Sequence, residues 1–248
     1  KQLTPRSRAA VADLAARGTV VALASGRMYR HCMAPQVEAL GLATPCICYN
    51  GAVILDPTNG QILSERPIAP ELVTPVIDFA AARGLTLNLY RDDVLYIQRP
   101  TRWSELYVAR TGAQPVFRED LYDWFRGSAS TKMLLLDEPA EIEVLLREWQ
   151  ARVDGQLYVT ISDPEYLEFM DPSATKGWAL RRLCEHLGID PAESAAFGDA
   201  RNDLPLLEAA GYAVAMANAR PELQAVADEI APSNDEDGVA QVLERWLD

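Results

Sequence analysis

The alternation of helical segments with short, wholly apolar runs constrains the fold of this chain more than any other feature. Thr19–Ala24 (TVVALA) is such a run, and it follows a helix that begins at the pair Thr4 and Pro5. Similar runs of strand length occur at Pro45–Tyr49 and Tyr212–Met216. Continuous apolar strands are typical of strands buried on both faces, and their alternation with helices indicates a parallel α/β sheet.

A different pattern interrupts this alternation in the middle of the chain. Pairs of short strands joined by turns predict hairpins at residues 85–98 and 157–170, with helices before and between them. The α/β pattern resumes after the second hairpin. We therefore expect a discontinuous α/β core formed by residues 1–63 and 166–248, and an inserted α+β domain of residues 64–165, which is a common domain size.

Composition excludes several functional classes. The formal net charge of -13 argues against a nucleic-acid partner. No apolar run approaches the ~20 residues of a membrane span, and the chain does not open with a signal-peptide pattern. Its cysteines lack the spacing of a disulfide framework or a zinc site, so we predict buried free thiols in a cytoplasmic protein. They are Cys32, Cys46, Cys48 and Cys184.

Lysine is rare in this arginine-rich chain, so the two internal lysines need an explanation. Lys132 lies near the start of a predicted strand, where a solvated edge position would account for it. Lys176 falls in the first turn of a predicted helix, just after Thr175 as its cap, where a cation opposes the helix dipole. Either its side chain leans into water or an anion compensates it. Replacing Lys176 with alanine is therefore expected to leave stability unchanged or slightly improved.

Two strand-to-helix junctions carry candidate binding groups. Asp199, Asn202 and Asp203 crowd one turn, where carboxylates are either helix caps or ligands for a hard cation such as Mg²⁺. Ser25 and Gly26 lie at another junction, where a serine caps the helix or free N–H groups bind phosphate. Since ligands bind at the carboxyl ends of strands in such sheets, these groups together with Lys176 predict a phosphate site with a metal.

Three motifs carry a resemblance to a known family. They are Ala24-Ser25-Gly26-Arg27, Thr175-Lys176-Gly177 and Gly198-Asp199-Ala200-Arg201-Asn202-Asp203. With this combination the chain resembles the haloacid dehalogenase superfamily, and within it the Cof-type phosphatases with an inserted α/β cap. Asn50-Gly51, the segment 215–219 and the segment 236–240 also resemble family landmarks.

The resemblance implies a fold, a reaction and a set of roles. The fold is an α/β protein with a Rossmann-like parallel-sheet core and an inserted α+β cap domain, and the reaction is Mg²⁺-dependent hydrolysis of a small phosphorylated metabolite. Ser25, Gly26 and Asn202 would bind the phosphoryl group, and Lys176 would neutralise it during catalysis. Asp199 would ligate Mg²⁺, and Asp203 would support the metal site without binding the ion directly. Phosphoryl transfer depends mostly on positioning and charge stabilisation, which agrees with these roles.

One family motif is missing from this sequence. The first motif, DxDGT, carries the nucleophilic and the acid/base aspartates on the first strand, and the sequence begins at Lys1, a few residues before the first helix. We expect these aspartates upstream of Lys1. Two alternatives stay open: a catalytically inactive homologue that binds phosphate or regulates, and a sugar phosphomutase. The sequence indicates neither the substrate nor the oligomeric state.

Overall fold

Helices and strands alternate along the chain, which has an α/β fold. A computed structural model describes residues 3–247. Lys1, upstream of which we expect the two aspartates of the first motif, lies outside the described residues. The chain divides into two units. The core unit comprises Lys1–Arg27, Met33–Ser64 and Thr175–Asp248, and the inserted unit comprises Met28–Cys32 and Glu65–Ala174. No helix within the described residues has the length and apolar character needed to cross a membrane.

Helices and strands are numbered in chain order. The helices are α1 (Pro5–Ala16), α2 (Ala34–Ala39), α3 (Pro70–Arg83), α4 (Arg102–Thr111), α5 (Leu121–Phe125), α6 (Pro139–Val153), α7 (Lys176–Leu187), α8 (Leu204–Ala209), α9 (Pro221–Gln224) and α10 (Gly238–Leu247). The strands are β1 (Cys46–Cys48), β2 (Val53–Leu55), β3 (Ile62–Glu65), β4 (Thr86–Arg91), β5 (Val94–Ile97), β6 (Val116–Phe117), β7 (Met133–Leu136), β8 (Tyr158–Asp163), β9 (Tyr166–Met170), β10 (Ala195–Gly198), β11 (Tyr212–Met216) and β12 (Glu229–Ala231).

The strands of the core unit form two three-stranded sheets. The sheet β10-β11-β12 is parallel throughout, as the alternation of strands and helices predicts. In the sheet β1-β2-β3, strands β1 and β2 pair antiparallel, with Ile47 opposite Ile54. The tight turn between them requires this pairing, because parallel neighbours need a long crossover. The buried-thiol prediction is confirmed, since all four cysteines are free and buried.

Thr19–Ala24 does not form the predicted strand buried on both faces. Among residues 3–247, its one bridge to another strand is the parallel bridge between Ala24 and Ile47, and Val20 is 48% exposed. Within residues 3–247 no strand pairs with the other side of this segment, and β10 is paired only with β11. An extended segment with one hydrogen-bonded neighbour over a few residues gains little from its apolar side chains.

Helix α7 begins at Lys176, as its sequence predicts, and local signals define both of its ends. The Thr175 side chain accepts a hydrogen bond from the N–H of Trp178, and Gly188 ends the helix with φ 68°. Its apolar face packs on the first core sheet, where Ala179 and Leu183 join Ile47 and Ile54 in one cluster. This packing sets the position of the first turn of α7, which carries Lys176.

The inserted unit contains one six-stranded sheet, in the order β6-β5-β4-β7-β9-β8. Both predicted hairpins are present, as β4 with β5 and β8 with β9. Residues 166–174, assigned to the core from the sequence, cluster with this unit because β9 pairs with both β7 and β8. Met28–Cys32 also belongs to it, since the Asp93 carboxylate accepts the N–H groups of Tyr29 (3.0 Å) and Arg30 (2.6 Å).

Lys132 does not lie at a solvated edge. It directly precedes β7, which is flanked on both sides by strands, and it is only 3% exposed. Its Nζ lies 3.2 Å from Oε1 of Glu168 on the neighbouring strand β9. A buried ammonium needs such a partner because an isolated charge is costly to remove from water.

Candidate active site

Ser25 and Gly26 form the first part of the candidate site. The Ser25 N–H donates to the carbonyl of Ile47 at 2.9 Å, which fixes the backbone as it leaves the extended segment. Ser25 Oγ accepts the N–H of Arg27 at 3.2 Å, so the hydroxyl proton stays available to a ligand. The N–H of Gly26 has no partner among the described residues. Two hydrogen-bond donors are therefore available at this junction.

Lys176 is buried, and its cationic head has an internal partner. Nζ donates to Oδ1 of Asp203, and the two side chains are 6% and 9% exposed. Of the two alternatives that the sequence left open, the structure shows the second: an anion compensates the lysine in the first helical turn. An ammonium carries three donors, and among residues 3–247 one of them has a partner. The unused donors suit a second anionic ligand.

Asp203 organises the acidic turn with both of its carboxylate oxygens. Oδ1 accepts from Lys176, while Oδ2 accepts the backbone N–H groups of Asp199 and Ala200, each at 3.1 Å. The turn is tight, because a Cβ on Gly198 would lie 2.6 Å from Cβ of Asp203. With its oxygens engaged in this way, Asp203 orients the backbone that carries Asp199.

Asp199 carries an exposed carboxylate at the end of β10. Its Oδ2 lies 3.4 Å from Nδ2 of Asn218, whose Oδ1 accepts the N–H of Asn234 at 2.9 Å. Within residues 3–247 no group of three or more His, Cys, Asp or Glu side chains could hold a metal ion. One exposed carboxylate still fits Mg²⁺, which commonly takes one or two protein carboxylates and completes its shell with water and phosphate oxygens. It does not fit a metal held by protein ligands alone.

Asn50 connects Asn202 with the Ser25–Gly26 junction. Nδ2 of Asn202 donates to Oδ1 of Asn50 at 2.7 Å. The same Oδ1 would lie 2.6 Å from a Cβ on Gly26, so Asn50 closely approaches that glycine. Asn202 is exposed and free to contact a ligand.

A continuous series of contacts thus connects every residue predicted for the site. Asn50 connects the Ser25–Gly26 junction with Asn202 in the acidic turn. Within that turn, Asp203 contacts both Lys176 and the backbone of Asp199. Sequence reasoning assigned no role to Asn50 or Asn218. The only signal for them was their position in segments that resemble family landmarks.

A comparison with family models gives a match over nearly the whole chain. Residues 1–243 match the model described as haloacid dehalogenase-like hydrolase. Among curated proteins, the phosphatase YwpJ of Bacillus subtilis is 27% identical over 256 residues, covering 93% of this chain and 88% of that protein. The HMP-PP phosphatase of Yersinia pseudotuberculosis is 28% identical over 240 residues, covering 96% and 86%.

Solved structures give the same result for the fold. The crystal structure of TM0651 from Thermotoga maritima superposes with a TM-score of 0.90 at 30% identity, covering 98% of this chain and 91% of that one. A sugar phosphatase of HAD subclass IIB, BT4131, superposes with a TM-score of 0.79 at 18% identity, which shows a shared fold alone.

Proposed function

Because the chain belongs to the haloacid dehalogenase-like hydrolases, we propose that it is a Mg²⁺-dependent phosphatase of small phosphorylated metabolites. The observation that carries this proposal is the buried Lys176 ammonium, which has one internal partner and unused donors close to other phosphate-binding groups. Asp203 already compensates the charge of this ammonium, whose remaining donors can bind the oxygens of a phosphoryl group.

The chain's own residues would act mainly by positioning the phosphoryl group. The Ser25 hydroxyl and the Gly26 N–H donate to phosphoryl oxygens, and the Asn202 carboxamide contacts another. Lys176 places positive charge beside the oxygens on which charge accumulates as the leaving group departs. Little more is required of the protein, since phosphoryl transfer depends on orientation and electrostatic stabilisation.

Asp199 would hold the Mg²⁺ ion with its exposed carboxylate. When bound, the ion neutralises charge on the phosphoryl oxygens and draws the phosphate into the site. Asp203 keeps its two hydrogen bonds to the backbone of the acidic turn and so fixes where the Asp199 carboxylate lies. It supports the metal without donating an oxygen to it.

The nucleophile of this reaction is proposed to be an aspartate upstream of Lys1. Its carboxylate attacks phosphorus, the bond to the leaving-group oxygen breaks, and a second aspartate gives that oxygen a proton. Water then releases phosphate from the aspartyl-phosphate. Asp199 and Asp203 are unsuited to the attack, since the first is the proposed metal ligand and the second is hydrogen-bonded through both oxygens.

The inserted unit is proposed as the cap that recognises the leaving group. We retain residues 64–165 as its sequence-based extent, with β9 added by the strand pairing. We also propose that the protein is cytoplasmic, which its four free, buried thiols support. The substrate is proposed to be a small phosphorylated metabolite.

The test is phosphate release by the gene product expressed with its upstream residues. A panel of sugar phosphates, nucleotides and HMP-PP is assayed with Mg²⁺ and with a chelator, for wild type, Asp199→Asn and the control Glu208→Gln, an exposed carboxylate on α8. We expect Mg²⁺-dependent release, lost in Asp199→Asn and kept in the control. Binding of phosphate without turnover would favour the inactive homologue, and an isomeric sugar phosphate without free phosphate would favour a phosphomutase.

A further inference from the structure

The turn that joins β1 to β2 has an unusual backbone. Three consecutive residues adopt positive φ: Tyr49 (50°), Asn50 (57°) and Gly51 (103°). For a residue with a Cβ, left-handed backbone is sterically strained, and asparagine tolerates it better than most. Such a turn persists only where its surroundings hold it in place.

The first set of contacts connects this turn with the Ser25–Gly26 junction. The Asn50 N–H donates to the Ser25 carbonyl at 3.0 Å, and the Tyr49 N–H donates to the Arg27 carbonyl at 3.0 Å. Gly26 lies so close to Asn50 that any side chain there would meet the carboxamide. The turn and the junction therefore fix each other's backbone.

The second set connects the same turn with the other two segments of the site. Oδ1 of Asn50 accepts from Nδ2 of Asn202 at 2.7 Å. A Cβ on Gly51 would lie 2.2 Å from the carbonyl oxygen of Thr175 and 2.8 Å from the backbone nitrogen of Lys176. One turn of three residues thus contacts the Ser25–Gly26 junction, the start of α7 and the acidic turn.

We propose that Asn50 is a positioning residue of the phosphate site, an inference that rests on the function proposed above. Its backbone holds Ser25, and its side-chain oxygen directs the Asn202 amide, so that both present their donors to one phosphoryl group. Asn50 acts through these neighbours and is not assigned a contact with phosphate. Removing its carboxamide leaves Asn202 free to rotate away.

The decisive variant is Asn50→Gly. Glycine adopts left-handed backbone without cost, so this change keeps the turn and removes only the carboxamide. Asn59→Gly is the matched control, because Asn59 lies in an exposed turn and its side chain, within the part of the chain that the structure describes, hydrogen-bonds with its neighbours Asp56 and Gln61. Asn202→Ala and the double variant Asn50→Gly/Asn202→Ala complete a cycle.

The readouts are the affinity for inorganic phosphate with Mg²⁺, measured by calorimetry, and the Asn202 side-chain amide signals in ¹H–¹⁵N NMR. Asn50→Gly is expected to bind phosphate about tenfold more weakly, the effect of one lost hydrogen bond, and to shift the Asn202 amide signals. The double variant should bind no more weakly than Asn202→Ala, since Asn50 acts through Asn202. Asn59→Gly should match wild type in both readouts.

Two results would overturn the positioning role of Asn50, and a third would overturn the proposed function as well. Phosphate affinity of Asn50→Gly equal to wild type contradicts it, and so do losses that simply add in the double variant. Wild-type protein that binds no phosphate contradicts the proposed function itself and the role of Asn50 with it. The wild-type measurement therefore separates the two failures.

Discussion

Lys176 and Asp203 form a buried ion pair in which Nζ of the lysine donates to Oδ1 of the aspartate, with neither side chain more than 9% exposed. The pair joins the start of α7 to the acidic turn. It explains how a lysine is tolerated in a first helical turn, where the dipole disfavours it. It gives the lysine a structural partner, so the structure favours a loss of stability when Lys176 is replaced, contrary to the expectation drawn from the sequence.

Replacing Lys176 with methionine should therefore destabilise the protein. The change leaves Asp203 charged and buried without its partner, which costs about 3–5 kcal/mol in comparable pairs. Urea unfolding would measure it, with Arg182→Met as the control on the same helix, since Arg182 is 48% exposed and should matter by less than about 1 kcal/mol. Equal stability of the two variants would show that the pair contributes nothing.

The buried pair Lys132–Glu168 should show non-additive behaviour. Each of Lys132→Met and Glu168→Leu leaves one buried charge unpaired and is expected to lose about 3–5 kcal/mol of stability. The double variant should recover most of that loss, because two apolar side chains replace two charges. Urea unfolding of the four proteins measures the coupling, and simple addition of the two losses would contradict it.

Gly51 should tolerate a methyl group far less well than Gly84. Both glycines have positive φ, 103° and 65°, but a Cβ on Gly84 meets no atom within 4 Å, whereas one on Gly51 meets the backbone of Thr175. Gly84→Ala is expected to cost about 1–2 kcal/mol from its backbone alone. Gly51→Ala should cost clearly more in thermal unfolding and weaken phosphate binding as well; equal losses would contradict the close approach.

The Cys46 thiol should be inert at neutral pH. Burial raises its pKa from its ordinary value near 9 to about 11, so the folded state holds the proton longer than the unfolded state. Its contribution to stability is thus complete below about pH 9 and is lost as pH rises toward 11. Mass spectrometry after iodoacetamide treatment at pH 8 should find Cys46 unmodified in folded protein and modified in urea, and rapid labelling of the folded form would contradict this.

Local signals predicted the elements that depend on local chemistry. The start of α7 after its Thr175 cap and the bounds of β11 follow from a cap and a short apolar run, and the structure has them as the sequence indicates. Local signals could not show whether Thr19–Ala24 forms a strand buried on both faces, because a strand depends on neighbours that are distant in sequence. Lys132 was misplaced for the same reason, since its partner Glu168 lies 36 residues away.

The candidate site shows the same division. Ser25, Lys176, Asp199 and Asn202 stand out by motif, and the structure connects them. The contribution of Asn50 could not be read from the sequence, because it arises from contacts between a strained turn and three segments that are distant in sequence. The role of the Asp203 carboxylate as partner of Lys176 likewise depends on how α7 and the acidic turn pack.

The most direct test of the account is a titration of the protein with inorganic phosphate, with and without Mg²⁺, for wild type, Asp199→Asn and Lys176→Met. We predict that wild type binds phosphate more tightly when Mg²⁺ is present, that Asp199→Asn loses this enhancement, and that Lys176→Met, checked to be folded, loses binding at both conditions. Identical affinities in all three proteins, with no effect of Mg²⁺, would contradict the assignment of this site.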